Sequence, residues 1–273
     1  MHEGGDEVNQ HAAIGLFDSG VGGLSVAKEV YRQLPAESTV YYGDTAHVPY
    51  GPRNSAELIR FTEQITAFLE RQGVKYIMFA CNTSSSISLP VLRERFKVRM
   101  IGLIRPGVAE AVSKTVNGRI GVIATEATIR SGAYAQELKG MGQNIEVYSQ
   151  AAPRLVPLVE AGRTETKEIV QALREYLFPL KEAGIDTLIL GCTHYPFLSR
   201  QITDELGPGV QLVDPASATV RAAKEELRSL GLAANGMNPT GHHFYVSGEP
   251  EAFRAAAGRF LNRDIGPVKQ VIL

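Results

Sequence analysis

Residues 73–83, GVKYIMFACNT, align without a gap on residues 184–194, GIDTLILGCTH, at an offset of 111. In each copy a glycine precedes an apolar, strand-like run that ends on a cysteine followed by polar residues. The same offset carries Leu58, Ile59, Ile65 and Leu69 onto Ile169, Val170, Tyr176 and Leu180, and Gly51 onto Gly162. A unit of helix, glycine, strand and cysteine therefore occurs twice, and self-similarity of this kind marks a duplicated architecture. A weaker match at a slightly different offset sets IGLFDSG, residues 14–20, against IGVIATE, residues 120–126, with Ser19 opposite Thr125.

The segments around the repeat read as alternating strands and helices. Residues 14–17 form a short buried strand, and Asp18-Ser19-Gly20-Val21-Gly22-Gly23 a turn into a helix over 24–33. A second strand over 40–42 runs into a loop whose Pro49, Gly51 and Pro52 exclude regular structure. Three- and four-residue spacing of Leu58, Phe61, Ile65, Phe68 and Leu69 predicts an amphipathic helix over 54–72, which Gly73 ends before a strand over 74–80. The expected fold class is α/β: two similar domains with central parallel-type sheets flanked by helices, pseudo-twofold related, with the active site in the interdomain cleft. The expected division is a flexible extension over 1–12, a first domain over 13–104 plus 214–273, and a second over 105–213, the chain changing domain near Arg105-Pro106-Gly107. After Val213 a helix is expected over 216–230, and residues 249–261 are expected to return to the first domain.

The length of 273 residues suits two cores better than one. Apolar residues at 44% and charged residues at 21% are those of a folded chain. A net charge of −1 gives no general attraction for nucleic acid or anionic membranes, and Glu94 dilutes the densest basic run, residues 93–99. No apolar run reaches the roughly 20 residues of a membrane span, and residues 1–11 lack the pattern of a signal peptide. The expected location is the cytoplasm. There the two cysteines, Cys81 and Cys192, are expected as free thiols.

A lone free cysteine is most often core. Two at equivalent strand ends are better explained by use, because ligand crevices of open parallel sheets lie beyond the C-terminal ends of the strands. The glycine-rich turn lacks the Lys-Ser/Thr pair of a phosphate loop, and a carboxylate suits it better. Asp18 reads equally as a helix cap. His194 reads as an acid, base or thiolate-orienting group rather than a zinc ligand, since the chain has no C-x-x-C or H-x-x-x-H. Thr125 and Thr128 read as turn residues or ligand contacts alike. Glu160 reads as a solvated helix position unless it lies near Cys192.

Two thiols in one cleft, one ionised and one protonated, suit removal of a proton from one face of an α-carbon and delivery of another to the opposite face. The chain shows no pyridoxal-lysine or nucleotide site, so the expected cofactor is none. Carbanion stabilisation is then expected from backbone N–H groups and from Ser19, Asn82, Thr83 and Thr193.

DSGVGG at 18–23, PYG at 49–51, CNT at 81–83, LVPLVEAG at 155–162 and LGCTHYP at 190–196 together resemble bacterial glutamate racemase, of the aspartate/glutamate racemase superfamily. The resemblance spans nearly all of residues 14–215, in order. It implies a two-domain, cofactor-independent enzyme that interconverts L- and D-glutamate and supplies D-glutamate for peptidoglycan. It further implies that Cys81 acts on the D-enantiomer with Asp18 assisting, and Cys192 on the L-enantiomer with His194 assisting. Substrate contacts are implied at Asp18, Ser19, Tyr50, Gly51, Asn82, Thr83, Thr193 and His194, and a homodimer is the implied assembly. CTH in place of a glutamate-bearing second motif favours glutamate over aspartate. The chain departs from the family pattern at Ser84, where alanine is frequent after CNT, and at Ala124, where glycine is frequent. Neither departure removes a candidate catalytic group. A non-catalytic amino-acid-binding module would need the cleft but not two thiols.

Overall fold

The computed structural model describes residues 10–142, 144–236 and 241–273. Its strands are β1 (Ile14–Asp18), β2 (Thr39–Gly43), β3 (Tyr76–Phe79), β4 (Arg99–Ile101), β5 (Arg119–Ala124), β6 (Glu146–Ala151), β7 (Thr187–Gly191), β8 (Gln211–Val213), β9 (His242–Val246) and β10 (Val268–Gln270). The helices are α1 (Leu24–Gln33), α2 (Ser55–Arg71), α3 (Asn82–Ile87), α4 (Leu89–Arg95), α5 (Ile104–Lys114), α6 (Glu126–Ser131), α7 (Ala133–Gly140), α8 (Leu155–Glu160), α9 (Lys167–Glu182), α10 (Ser199–Leu206), α11 (Pro215–Ser229) and α12 (Pro250–Leu261).

Two sheets result. One runs β10-β9-β2-β1-β3-β4 and the other β6-β5-β7-β8, and every pairing in both is parallel. The order β2-β1-β3-β4 repeats as β6-β5-β7-β8, so the sequence repeat is a repeat of topology. The offset of 111 carries β3 onto β7 and α2 onto α9. Gly73 and Gly184, which close those helices, both have positive φ, 72° and 67°, a region open to glycine because it has no Cβ. Gly51 and Gly162 are less alike: Gly162 has φ 69° after α8, and Gly51 lies in the loop before α2.

Local chemistry explains the helix ends. Asn54 and Glu57 form a reciprocal capping box at α2, Asn54 Oδ1 accepting from the Glu57 N–H at 3.0 Å. Thr166 Oγ1 accepts from the Ile169 N–H at 3.4 Å at the start of α9, and Asp214 caps α11. Arg105-Pro106-Gly107, where the chain is expected to change domain, lies in the first turn of α5. A proline is tolerated there because the N–H it lacks has no intrahelical partner in a first turn.

Apolar side chains cover both faces of each sheet. Leu16, Tyr41 and Met78 meet α1, α11 and α12 on one face of the first sheet, and Phe17, Ile77 and Phe79 meet α2 on the other. In the second sheet Leu188 and Leu190 face α8, α9 and α10, while Val122 and Ile189 face α5 and α7. Phe253 and Ala257 of α12 share the core of β1 and α1. The expected extension lies mostly outside the described residues. Gln10, which is described, accepts a hydrogen bond from Lys75 Nζ at 2.5 Å. Among the described residues no helix is long and apolar enough to cross a membrane.

Candidate active site

Parallel strands deliver their C-terminal residues to one edge of a sheet, and here the two edges meet. Asp18 ends β1 and Cys81 follows the neighbouring β3; Thr125 follows β5 and Cys192 the neighbouring β7. Between them lies a cavity of about 220 Å³. Asp18, Ser19, Tyr50, Gly51, Cys81, Asn82, Thr83, Cys192, Thr193 and His194 all line it. The structure thus brings every site residue anticipated from the sequence to one place. Both cysteines are free thiols, only 5% and 6% exposed.

Asp18 is fully buried. Its Oδ2 accepts from the Gly20 N–H at 3.2 Å and the Gly23 N–H at 2.8 Å, while Oδ1 has no partner. Burial raises its pKa above the ordinary carboxylate range, and the His194 charge and the two N–H groups offset only part of that. Burial likewise pushes the Cys81 thiol up to about 12, with the Asp18 charge adding to the rise.

Cys192 has different company. Its Sγ lies 3.6 Å from Nδ1 of His194, whose Nε2 lies 2.6 Å from Oε1 of Glu160. Burial alone disfavours the imidazolium, but hydrogen bonds and charge from Cys192 and Glu160 prevail and raise the His194 pKa well above its ordinary value. Glu160 therefore reaches the site through His194, although its side chain is still 28% exposed. It is the last residue of α8, whose Leu155, Val156, Leu158 and Val159 are buried. A signal was present in the sequence: the 111 offset sets residues 160–162 opposite residues 49–51, which themselves line the cavity.

The glycine-rich turn serves close approach. A Cβ on Gly22 would stand 2.6 Å from Thr193 Oγ1 and 2.7 Å from His194 Nδ1, one on Gly20 2.8 Å from Glu160 Oε1, and one on Gly23 2.5 Å from Asp18 Cβ. Residues of the second sheet's edge therefore rest directly on the backbone of the first sheet's turn.

Hydroxyls join the two halves as well. Thr83 Oγ1 pairs with Thr125 Oγ1 at 2.9 Å and with Thr128 Oγ1 at 3.2 Å, and the last two pair at 2.9 Å. Thr125 also caps α6, as its reading as a turn residue expects. Tyr134 donates to Asn82 Oδ1 at 2.6 Å, leaving Asn82 Nδ2 buried and unpartnered at the cavity. Tyr50 donates to Asp44 Oδ2 at 2.5 Å. Among the described residues no group of three or more His, Cys, Asp or Glu side chains gathers to hold a metal ion.

A family model described as Asp/Glu/Hydantoin racemase matches residues 14–223. The glutamate racemase of Desulforudis audaxviator is 55% identical over 266 residues, which cover 95% of this chain and 97% of that one. The chain belongs to this racemase family, among its glutamate racemases. Solved members superimpose on it closely. A glutamate racemase isoform of Bacillus anthracis matches with a TM-score of 0.92 at 38% identity, covering 97% of this chain and 98% of that one. The glutamate racemase of Francisella tularensis, solved in complex with D-glutamate, matches with a TM-score of 0.89 at 35% identity, covering 96% and 98%. This racemase is thus an isomerase of two parallel sheets, with one thiol beyond each.

Proposed function

We propose that this racemase interconverts L- and D-glutamate by a two-thiol exchange of the α-proton and requires no cofactor for it. The observation that carries the reading is the pair of buried thiols, Cys81 and Cys192, at equivalent strand ends of two repeated sheets and lining one cavity. Relatives named as glutamate racemases, one of them solved with D-glutamate, support the substrate.

In the direction from L to D, the Cys192 thiolate takes the α-proton, and the Cys81 thiol gives its own proton to the opposite face of the carbon. The product leaves with Cys192 protonated and Cys81 ionised, the state that turns over the D-enantiomer. His194, whose pKa is raised by its contacts with Cys192 and Glu160, steadies the Cys192 thiolate, and Glu160 holds the ring in place. Asp18 assists Cys81. Ser19, Asn82, Thr83 and Thr193, with Tyr50 and Gly51 on the wall, bind the carboxylates and the carbanion's enolate-like oxygens. The unpartnered Asn82 Nδ2 is a donor suited to such an oxygen.

The same reading covers the wider expectations. It takes residues 13–104 with 214–273 as one unit and 105–213 as the other, a homodimer as the assembly, the cytoplasm as the location, and supply of D-glutamate for peptidoglycan as the role. The test is exchange at the α-carbon. Incubation of either enantiomer in D2O is expected to place deuterium there, and Cys81→Ser or Cys192→Ser is expected to collapse racemisation in both directions, since each turnover uses both thiols. Full activity in either variant, or preference for aspartate over glutamate, would overturn the reading.

A further inference from the structure

Asn82 follows Cys81 and lines the cavity, and its amide has two unlike ends. Oδ1 only accepts hydrogen bonds, whereas Nδ2 only donates them. The end that faces the cavity therefore decides whether an anionic substrate is attracted or repelled there. Among the described residues the Asn82 side chain makes one hydrogen bond, and its partner belongs to the other half of the molecule: Tyr134 of α7 donates to Oδ1 at 2.6 Å.

Tyr134 is held on several sides. Its ring is 2% exposed and shares the core of the second sheet with Val122, Ala124 and Ile189. One ring edge rests on Gly191, where a Cβ would come within 3.1 Å of Tyr134 Cε2. Gly191 directly precedes Cys192, and Asn82 directly follows Cys81. A single phenol thus touches the segments that carry both thiols, although it does not itself line the cavity.

The phenol also sets the direction of the amide. Burial, reinforced by the Asp214 and Cys192 charges, raises its pKa well above the ordinary value, so it keeps its proton and donates it. An amide turned over would offer Nδ2 to the phenol oxygen and leave the phenol proton buried without an acceptor, a costly arrangement in a closed interior. In the orientation found, Nδ2 is the end left free, buried and unpartnered. Donation to Oδ1 polarises the amide as well and strengthens Nδ2 as a donor.

We infer that Tyr134 is a positioning residue for the racemisation: it holds the Asn82 amide with Oδ1 turned away from the cavity and Nδ2 free for a substrate carboxylate oxygen. The inference rests on the reading of Asn82 as a substrate contact. It makes the competence of a residue beside one thiol depend on a side chain anchored behind the other.

The test is a double-mutant cycle on steady-state rates. Tyr134→Phe keeps the ring and removes the hydroxyl. It is expected to lower kcat/KM about tenfold, mainly through KM, since a carboxylate oxygen is held in the ground state as well as in the transition state. The loss in kcat/KM must be equal from L- and from D-glutamate, because the two enantiomers are equally stable. Asn82→Ala is expected to lose at least as much, and adding Tyr134→Phe to it to change kcat/KM by less than about twofold. Asn82→Asp keeps an acceptor for the phenol but turns a second oxygen toward the cavity, so its kcat/KM is expected to fall below that of Asn82→Ala. Tyr76→Phe is the structural control. Tyr76 is fully buried and donates to Glu226 Oε2 at 2.6 Å, at the end of β3 remote from Cys81. Its loss is expected to lower the melting temperature and leave KM unmoved. If Tyr134→Phe leaves KM in place, or costs as much beside Asn82→Ala as alone, or if Asn82→Asp matches Asn82→Ala, the assignment fails. Parental kcat/KM in Asn82→Ala would overturn the substrate contact and the inference with it. The two-thiol reading is tested apart from both, by the activity of Cys81→Ser.

Discussion

Glu160 Oε1 lies 2.6 Å from Nε2 of His194. This contact joins the last residue of α8 to the motif that follows β7, and it fixes which face of the imidazole is left for Cys192. A ring anchored at Nε2 presents Nδ1 to the sulfur, in the manner of the orienting partners found behind other working imidazoles.

Glu160→Gln should separate charge from geometry at this contact, because glutamine keeps an oxygen for Nε2 but not the negative charge. The His194 pKa is expected to fall from its raised value toward the ordinary one near ~6.5, read from the imidazole NMR titration. The stability linkage has a definite sign. His194 has a folded-state pKa above its unfolded one, so its contribution is whole below the unfolded pKa and is lost as pH rises through the folded pKa. Glu160→Gln lowers the upper edge of that window. kcat/KM is expected to fall about a hundredfold, and an unmoved His194 titration would refute the assigned partner.

Asp18→Asn should raise stability while lowering activity. The folded-state pKa of Asp18 lies above its unfolded value because burial penalises the carboxylate. Its share of stability is therefore complete below the unfolded pKa and falls away as pH rises through the folded one. Asparagine retains an oxygen for the Gly20 and Gly23 N–H groups and has no charge to bury. At neutral pH the variant is expected to melt a few degrees higher, about 1 kcal/mol more stable, with kcat/KM at least tenfold lower and Cys81 more readily alkylated. A lower melting temperature at neutral pH would show that Asp18 acts as a structural carboxylate.

Most of this site was legible because it sits where repeated strands end. The alignment of Cys81 with Cys192 placed both thiols beyond C-terminal strand edges, and the order β2-β1-β3-β4 returning as β6-β5-β7-β8 is the same symmetry in space. Glu160 was not legible as a partner of His194, since 34 residues separate them and a carboxylate at a helix end reads as solvated. Gly22 was visible as part of a turn, but its contact with Thr193 and His194 depends on how the two halves meet. The strands β9 and β10 escaped as well. They are short additions at the sheet edge, and β10 is largely exposed, so neither has the continuous apolar run that marks a buried strand.

Gly22 and Gly73 should both lose stability on substitution by alanine but differ in activity. At Gly22 the new methyl group would fall within 2.7 Å of His194 and 2.6 Å of Thr193 Oγ1, so the halves must separate or the imidazole must turn. Gly22→Ala is expected to lower kcat/KM at least tenfold, with a stability loss of about 1–3 kcal/mol from overpacking. Gly73 has φ 72°, and a methyl group added there would meet nothing within 4 Å. Gly73→Ala is expected to cost about 1–2 kcal/mol through backbone strain alone and to leave kcat/KM unchanged. Paired urea titrations and initial rates read both, and equal loss of activity in the two variants would show that turn geometry, not the approach to His194, governs the site.

Lys75 and Glu37 form an ion pair at the opposite end of the first sheet from the thiols. Nζ lies 2.6 Å from Oε2, with the two side chains 0% and 2% exposed. Lys75 also donates to the Gln10 carbonyl, and Glu37 Oε1 accepts from the Ala234 N–H at 2.8 Å, so the pair ties together segments distant in sequence. Removing one member leaves the other charge buried without its partner, which costs about 3–5 kcal/mol; replacing both by apolar groups costs much less. Lys75→Met is expected to lower the urea midpoint by that measure, and the double variant Lys75→Met with Glu37→Leu to recover most of the loss. Lys75 precedes β3 and Cys81 follows it, so the length of the strand separates the pair from the cavity. kcat/KM of the folded single variant is therefore expected to match that of the parent chain, and a fall in it under conditions where the variant remains folded would show that the pair also holds the strand ends in register for the thiols.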